Sequence, residues 1–408
     1  MNRLIQNSGL ATTIRNQLIH FAMVIVILCL TLTGNASRNG ILTGADQPEL
    51  YLSKLKGKKL ALVVNQTSRI GDQHLVDYLL GKKLTIKRIF APEHGFRGEA
   101  GAGELIDNSE DRDTGIPIIS VYGKNRKPTA GQLSGIDIVI FDIQDVGCRF
   151  YTYISTLHYM MEACAENNIT LLILDRPNPN GDYIDGPILQ PAFRSFVGMD
   201  PIPVVHGCTI GELAKMINGE KWLANGIKAR LEIIKVANYT HSMKYQPPTR
   251  PSPNLPNYLA IRLYPSFCFF EATSVSVGRG TQFPFQVLGF PDQSFGTFSF
   301  TPQSLKGLEI NPLQKNKKCF GDDFRELKEV PQFTLSYFIN WFHKFKNKEK
   351  FLTRSQWFNQ LMGNDIVLKL ILEGKTEAEI RKSWETELAN YGAIRQKYLL
   401  YPDFKPLK

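Results

Sequence analysis

Cysteine is scarce in this sequence, with six residues in 408 and never a Cys-x-x-Cys pair. Cys29 lies in an N-terminal segment treated below. The remaining Cys148, Cys164, Cys208, Cys268 and Cys319 are odd in number and widely spaced, so neither a zinc site nor a disulfide framework is implied. Histidines in His-x-x-x-His spacing are also absent, so a metal-dependent hydrolase built on His94, His206 and nearby acids lacks the ligand spacing it needs. No Gly-x-Gly-x-x-Gly follows the first apolar strand, and a dinucleotide site is unsupported. The N-terminal apolar run, residues 21–32, falls short of the roughly 20 residues a membrane-spanning helix requires.

That run does match another pattern. Arg3 and Arg15 precede it, and Gly34, Asn35 and Ala36 follow with the small residues a signal peptidase reads. Residues 1–36 are therefore expected to be a secretory signal, with an uncleaved N-terminal anchor as the rival. Leu28 before Cys29 argues against a lipid-anchored cysteine. No membrane span is expected after cleavage, and the mature chain is expected to be periplasmic or extracellular. The formal charge of +10 would otherwise suggest nucleic acid, which an exported protein seldom meets. Lysine clusters within 54–59, 315–318 and 344–350 read as solvated faces, suited to an anionic cell-wall polymer.

With 43% hydrophobic and 21% charged residues, the mature chain has a globular composition and enough length for two domains. Its first part alternates short continuous apolar runs (60–65, 85–90, 117–121, 136–142, 170–175) with helical stretches (73–80, from 129, 152–166). That alternation predicts a parallel sheet covered on both faces. Another strand is expected over 230–236. Thr209 and Glu212 have capping-box spacing before a helix, as do Thr376 and Glu379. The proline-rich stretch 250–256 reads as a rigid bridge, giving an α/β domain over 45–257 and a smaller α+β domain over 258–408, with a cleft between them. Helices are expected over 333–345, 364–373 and 376–391, with Trp384, Leu388 and Tyr391 as core contacts.

Ligands of open α/β sheets sit outside the carboxyl ends of the strands. Here those ends carry Asn65 and Gln66, then Glu93 and His94, then Asp142, Gln144, Asp145 and Arg149, then Asp175, Arg176 and Asn178. The second of these opens the glycine-rich turn Pro92-Glu-His-Gly-Phe-Arg-Gly98, which adds Arg97 and leads to Glu99. Asp142 and Asp175 have a structural alternative, capping the next helix or pairing with an arginine. His206 stands before a helix start, a common place for a turn histidine. Residues 268–281 mix small side chains with Glu271 and Arg279, in the manner of a cleft lining.

Several of these stretches together resemble the NamZ family, long a domain of unknown function, whose characterised members are exo-lytic β-N-acetylmuramidases. The resemblance rests on Ala91-Pro-Glu-His-Gly-Phe-Arg-Gly98, Phe141-Asp-Ile-Gln-Asp-Val-Gly147 with Arg149-Phe-Tyr-Thr-Tyr153, and Leu174-Asp-Arg-Pro-Asn-Pro179. Pro251-Ser-Pro-Asn-Leu-Pro256, Ser276-Val-Gly-Arg-Gly-Thr281 and Arg395-Gln-Lys-Tyr-Leu-Leu-Tyr401 extend it along nearly the whole mature chain. It implies a Rossmann-like first domain, a smaller C-terminal domain, and removal of N-acetylmuramic acid from the non-reducing end of peptidoglycan-derived disaccharides or glycan chains, with no cofactor or metal. It implies Glu93 as the leading catalytic residue and His94 beside it. It also places Tyr151 and Asn254 with the strand-end residues at the substrate.

Glycosidic cleavage needs an acid to protonate the leaving oxygen and usually a second carboxylate, unless the substrate's acetamido group acts as nucleophile. Glu93 is the expected acid; Asp142, Asp145 and Glu99 are open candidates for the second role. The lactyl carboxylate of the sugar calls for an arginine, and Arg97, Arg149, Arg176 and Arg279 lie in the expected cleft loops. A catalytically silent muropeptide-binding protein is the reading from another class.

Overall fold

In this computed structural model, residues 40–97, 108–329 and 332–404 are described. The expected signal, residues 1–36, and the candidate Glu99 lie outside the described residues.

Seven strands form the central sheet: β1 (Lys59–Val64), β2 (Thr85–Ala91), β3 (Ser109–Glu110), β4 (Pro117–Ser120), β5 (Ile138–Asp142), β6 (Thr170–Leu174) and β7 (Arg230–Ile234). Their order across the sheet is β3-β4-β2-β1-β5-β6-β7. Only the short edge strand β3 runs antiparallel to its neighbour; the other pairs are parallel. This is the doubly wound α/β sheet that the apolar runs predict. The strand order reverses between β1 and β5.

Strand β1 shows why it is buried on both faces. Leu60, Leu62 and Val64 pack to one side with Leu75, Val76 and Leu79 of α1 (Leu75–Gly81). Ala61 and Val63 pack to the other with Leu157, Met160 and Met161 of α2 (Tyr153–Glu166). Side chains alternate with period 2 along a strand, so a strand covered on both faces needs an unbroken apolar run. Each large aliphatic side chain so buried contributes about 1.5–3 kcal/mol. The next helix on this face, α3 (Ile210–Gly219), starts with the capping box expected of Thr209 and Glu212.

Beyond residue 257 the chain enters α4 (Tyr258–Phe267), which tolerates Pro265 near its end. A three-stranded antiparallel sheet follows, β8 (Val287–Phe290), β9 (Phe298–Phe300) and β10 (Cys319–Asp323), in the order β8-β10-β9. The tail is helical: α5 (Ser336–Lys344), α6 (Ser355–Met362), α7 (Ile366–Leu372), α8 (Glu377–Arg381) and α9 (Glu385–Gln396). The single helix expected over 376–391 is thus two. The break puts Trp384 at a non-helical φ of −124°, and its indole is almost wholly buried.

Residues from 42 onward form one compact unit. A single apolar cluster runs from Val63 and Phe141 of the sheet through α2 and α4 to Phe338, Trp341, Phe358 and Tyr391 of the tail. The proline-rich stretch therefore crosses a continuous core. Tyr151 and Tyr153 both donate hydrogen bonds to the Pro251 carbonyl, at 2.8 and 3.3 Å, and fasten the stretch beside the turn that carries Glu93.

Candidate active site

Glu93 follows directly on the end of β2. The turn behind it closes through a hydrogen bond from Gly95 N to Pro92 O at 3.0 Å. His94 and Gly95 both take positive φ, 72° and 78°. Gly95 adopts this freely, whereas at His94 it is an uncommon conformation for a side-chain-bearing residue. The His94 ring is buried, its Nε2 3.2 Å from Ser252 Oγ. The turn is thus locked from behind by the proline-rich stretch, and Glu93 is left partly exposed at its front.

Two hydroxyls orient the Glu93 carboxylate. Thr152, just before α2, donates from Oγ1 to Glu93 Oε2 at 2.7 Å. Tyr122, just past β4, also hydrogen-bonds the carboxylate, and burial together with the Glu93 charge pushes its phenol above the ordinary tyrosine range.

Glu93, Tyr122 and Thr152 line a cavity of about 450 Å³, and the C-terminal half supplies its other wall. Glu271 and Arg279 line it, joined by Glu309, Arg354 and Trp357. Glu271 sits on a short helical turn, Cys268–Ala272, that directly continues α4. Arg279 is carried on a tight loop in which Gly278 and Gly280 both have φ near 78°. A Cβ on Gly278 would lie 2.7 Å from Val287 Cγ2, so that loop cannot carry a larger residue there unchanged. Arg279 Nη2 lies 2.6 Å from Glu271 Oε1, and its Nη1 is 3.6 Å from Glu309 Oε2. The guanidinium holds the Glu271 carboxylate in one orientation while both groups stay partly exposed to the cavity.

Of the residues expected at the site, the structure thus brings Glu93, Glu271 and Arg279 to one cavity, with His94 immediately behind. The other expected residues among those described are placed elsewhere, and the reasons are physical. Asp142 is fully buried and takes two hydrogen bonds from Arg176, at 2.5 and 2.9 Å. Asp175, also fully buried, accepts from Thr209 Oγ1, Gly211 N and Tyr401 OH, so it caps α3 and anchors the tail. Burial raises its carboxyl to about 6. Both acids therefore take the structural alternative.

Arg149 has no exposed surface and donates to the carbonyls of Pro187, Ile202 and Leu361. Burial lowers it to about 10. Asp145 accepts from Gly147 N and lies 3.5 Å from the buried His206, whose Nδ1 accepts from Cys208 N. Gln144 donates to the carbonyls of Asp145 and Pro177. Asn178 donates to Cys208 O, and the buried Asn254 reaches Leu308 O at 3.4 Å. Tyr151 is spent on Pro251. Arg97 pairs with Asp111 and Asp113 and lines a separate cavity with His94. In all of these, strand-end or loop polarity builds the fold rather than facing the main cavity.

Tyr122, Thr152, Glu309, Arg354 and Trp357 were not among the expected site residues. Thr152 stood inside a quoted motif, and Tyr122 follows a strand end, so both had a signal. Glu309, Arg354 and Trp357 had none. Among the described residues, no group of three or more His, Cys, Asp and Glu side chains is placed to hold a metal ion.

Fold and site define a doubly wound α/β protein whose cavity pairs a strand-end carboxylate with an arginine-held carboxylate from a C-terminal α+β region. The chain belongs to the NamZ family. The family described as "Exo-beta-N-acetylmuramidase NamZ, N-terminal" matches residues 60–259, and its C-terminal counterpart matches 262–401. A relative from Bacillus subtilis (strain 168), "Peptidoglycan beta-N-acetylmuramidase NamZ", is 36% identical over 396 residues, covering 90% of this chain and 92% of that protein. Two crystal structures of DUF1343 family proteins from Bacteroides fragilis NCTC 9343 are similar. One has a TM-score of 0.82 at 44% identity, covering 89% of this chain and 99% of that one. The other has a TM-score of 0.76 at 27% identity, covering 89% and 100%.

Proposed function

We propose that this protein is an exo-acting β-N-acetylmuramidase that hydrolyses the glycosidic bond of the terminal N-acetylmuramic acid at the non-reducing end of peptidoglycan fragments. The family membership and the activity named for the Bacillus subtilis relative support the reaction. The observation that carries it here is that Glu93 and Glu271 line one and the same cavity. Its volume of about 450 Å³ lies in the range usual for small-molecule sites.

In this reading Glu93 protonates the leaving oxygen. Its backbone is fixed by the locked turn, and its carboxylate by Thr152 and Tyr122, so little orientational freedom remains to be lost at the transition state. Glu271 is the second carboxylate. Arg279 keeps it aimed, as is needed to activate water or to stabilise positive charge developing on the sugar ring. This role replaces Asp142 and Asp145, which are committed to the fold.

The protein should release nitrophenolate from a chromogenic β-N-acetylmuramide, equally with and without a chelator. From peptidoglycan disaccharides it should release free N-acetylmuramic acid. Tight binding of these sugars without turnover would replace the enzyme by a muropeptide-binding protein. The N-terminal sequence further supports export to the periplasm or the medium. Finding Met1 retained on a cytoplasmic protein by N-terminal sequencing would remove that part.

A further inference from the structure

The arginines expected to meet an anionic substituent are already committed. Arg97 pairs with Asp111, Arg176 with Asp142, and Arg279 with Glu271, while Arg149 is spent on three backbone carbonyls. One further cation lines the cavity. Arg354 is exposed, and no carboxylate among the described residues pairs with it. Its guanidinium lies over the Trp357 ring, 5.2 Å from the centroid. Stacking of this kind holds a planar cation in place while leaving its N–H edges free to bind.

The surroundings also favour an anion there. Arg354 occupies the position just before α6, its side chain does not cap the helix, and the first turn carries no acid. The partial positive charge of that helix end is therefore not neutralised from within. Trp357, in the same turn, lines the cavity, and its Nε1 is buried without a hydrogen-bond partner. Backbone N–H groups of Thr353 and Arg354 both donate to Ala272 O, at 3.1 and 3.0 Å. These bonds tie the arginine to the turn that carries Glu271, so cation and carboxylate share one rigid wall.

We propose that Arg354 determines specificity by binding the lactyl carboxylate, the group that distinguishes N-acetylmuramic acid from N-acetylglucosamine. The assignment rests on the muramidase reading above. A carboxylate accepts two parallel hydrogen bonds from a guanidinium, and a neutral substituent at the same position leaves that cation unpaired in the complex.

The test compares wild type, Arg354→Ala and Arg354→Lys on a chromogenic β-N-acetylmuramide and on its lactyl methyl ester. Wild type should favour the free acid in kcat/KM by about ten-fold or more, the scale of a charge-assisted hydrogen bond. Arg354→Ala should bring that ratio close to one, through a higher KM for the acid and little change on the ester. Arg354→Lys should keep part of the preference, because it keeps the charge but loses the fork. An unchanged acid-to-ester ratio in Arg354→Ala, or equal loss on both substrates, overturns the assignment of Arg354 alone. A folded wild type that cleaves neither substrate overturns the muramidase reading and the assignment with it.

Discussion

Thr152 Oγ1 donates to Glu93 Oε2 at 2.7 Å, joining the start of α2 to the end of β2. A strand-end carboxylate is thus oriented by a residue that follows β5, three strands further along the chain. Replacing Glu93 by Gln preserves the shape and the hydroxyl contacts but removes the proton. Turnover of natural disaccharides should fall by about 10²–10⁴-fold. The loss should be smaller on nitrophenyl glycosides, whose leaving group needs little protonation. Steady-state kinetics on both substrates checks this, and near-wild-type turnover of disaccharides by Glu93→Gln removes the acid role.

Glu271 and Arg279 should act as a unit. Glu271→Gln is expected to lower turnover severely on both natural and nitrophenyl substrates, because the second carboxylate acts whatever the leaving group. Arg279→Ala frees Glu271 and leaves Glu309 without its counter-charge. If the unit holds, the double variant loses far less than the product of the two single losses. Multiplicative losses would separate the two residues.

Arg149 should matter for stability rather than chemistry. Arg149→Met strips three carbonyls of their charged donor in a fully buried setting. The expected cost is roughly 2–5 kcal/mol in denaturant unfolding, with KM unchanged in the protein that remains folded. A stable variant with a raised KM would return Arg149 to the substrate.

How much of this was legible in the sequence depended on whether the partner was near in the chain. Continuous apolar runs fixed the strands, because a sheet covered on both faces leaves no other use for them. Cap spacing placed the start of α3. The placement of Glu93 at a cavity was legible because ligands of open α/β sheets sit outside the carboxyl ends of the strands. Asp142 and Asp175 occupy equivalent strand ends, yet the partners that bury them are an arginine 34 positions on and a tyrosine 226 positions on. An acid awaiting a ligand and an acid awaiting such a partner look alike in sequence. Arg354 and Trp357 lie at the head of an ordinary amphipathic helix, and only tertiary packing brings them to the cavity.

A buried cluster away from the site should govern the pH dependence of stability. His158 Nδ1 lies 2.9 Å from Asp200 Oδ1, and its Nε2 is 3.3 Å from Glu162 Oε1; Lys127 and Arg194 stand on the outer side. Burial opposes the charge on His158, but the hydrogen bonds to Asp200 and Glu162 outweigh it and raise the ring from 6.5 to about 9. The stability this adds is complete below pH 6.5 and is lost as pH rises through about 9. Glu162, lowered from 4.5 to about 2 chiefly by the His158 hydrogen bond, behaves in the opposite sense: its contribution is present above pH 4.5 and lost as pH falls toward 2. Melting temperature should therefore decline between pH 7 and 9.5, and His158→Gln should flatten that decline. An alkaline limb unchanged in His158→Gln would rule this cluster out.

The bond between Tyr401 and Asp175 has a consequence for synthesis. Tyr401 OH meets Asp175 Oδ2 at 2.5 Å, and nearby Leu400 N donates to Glu212 and Arg395 to Gly207 O. The carboxyl edge of β6 and the start of α3 are thus sealed by residues made long after them, 188 to 226 positions further along the chain. Until they arrive, the nascent sheet carries an acid in an apolar setting without one of its donors, a penalty that delays early closure. The chain should stay open until Tyr401 has been added, and a version stopped after Gln396 should be soluble only as a loosened, protease-sensitive species.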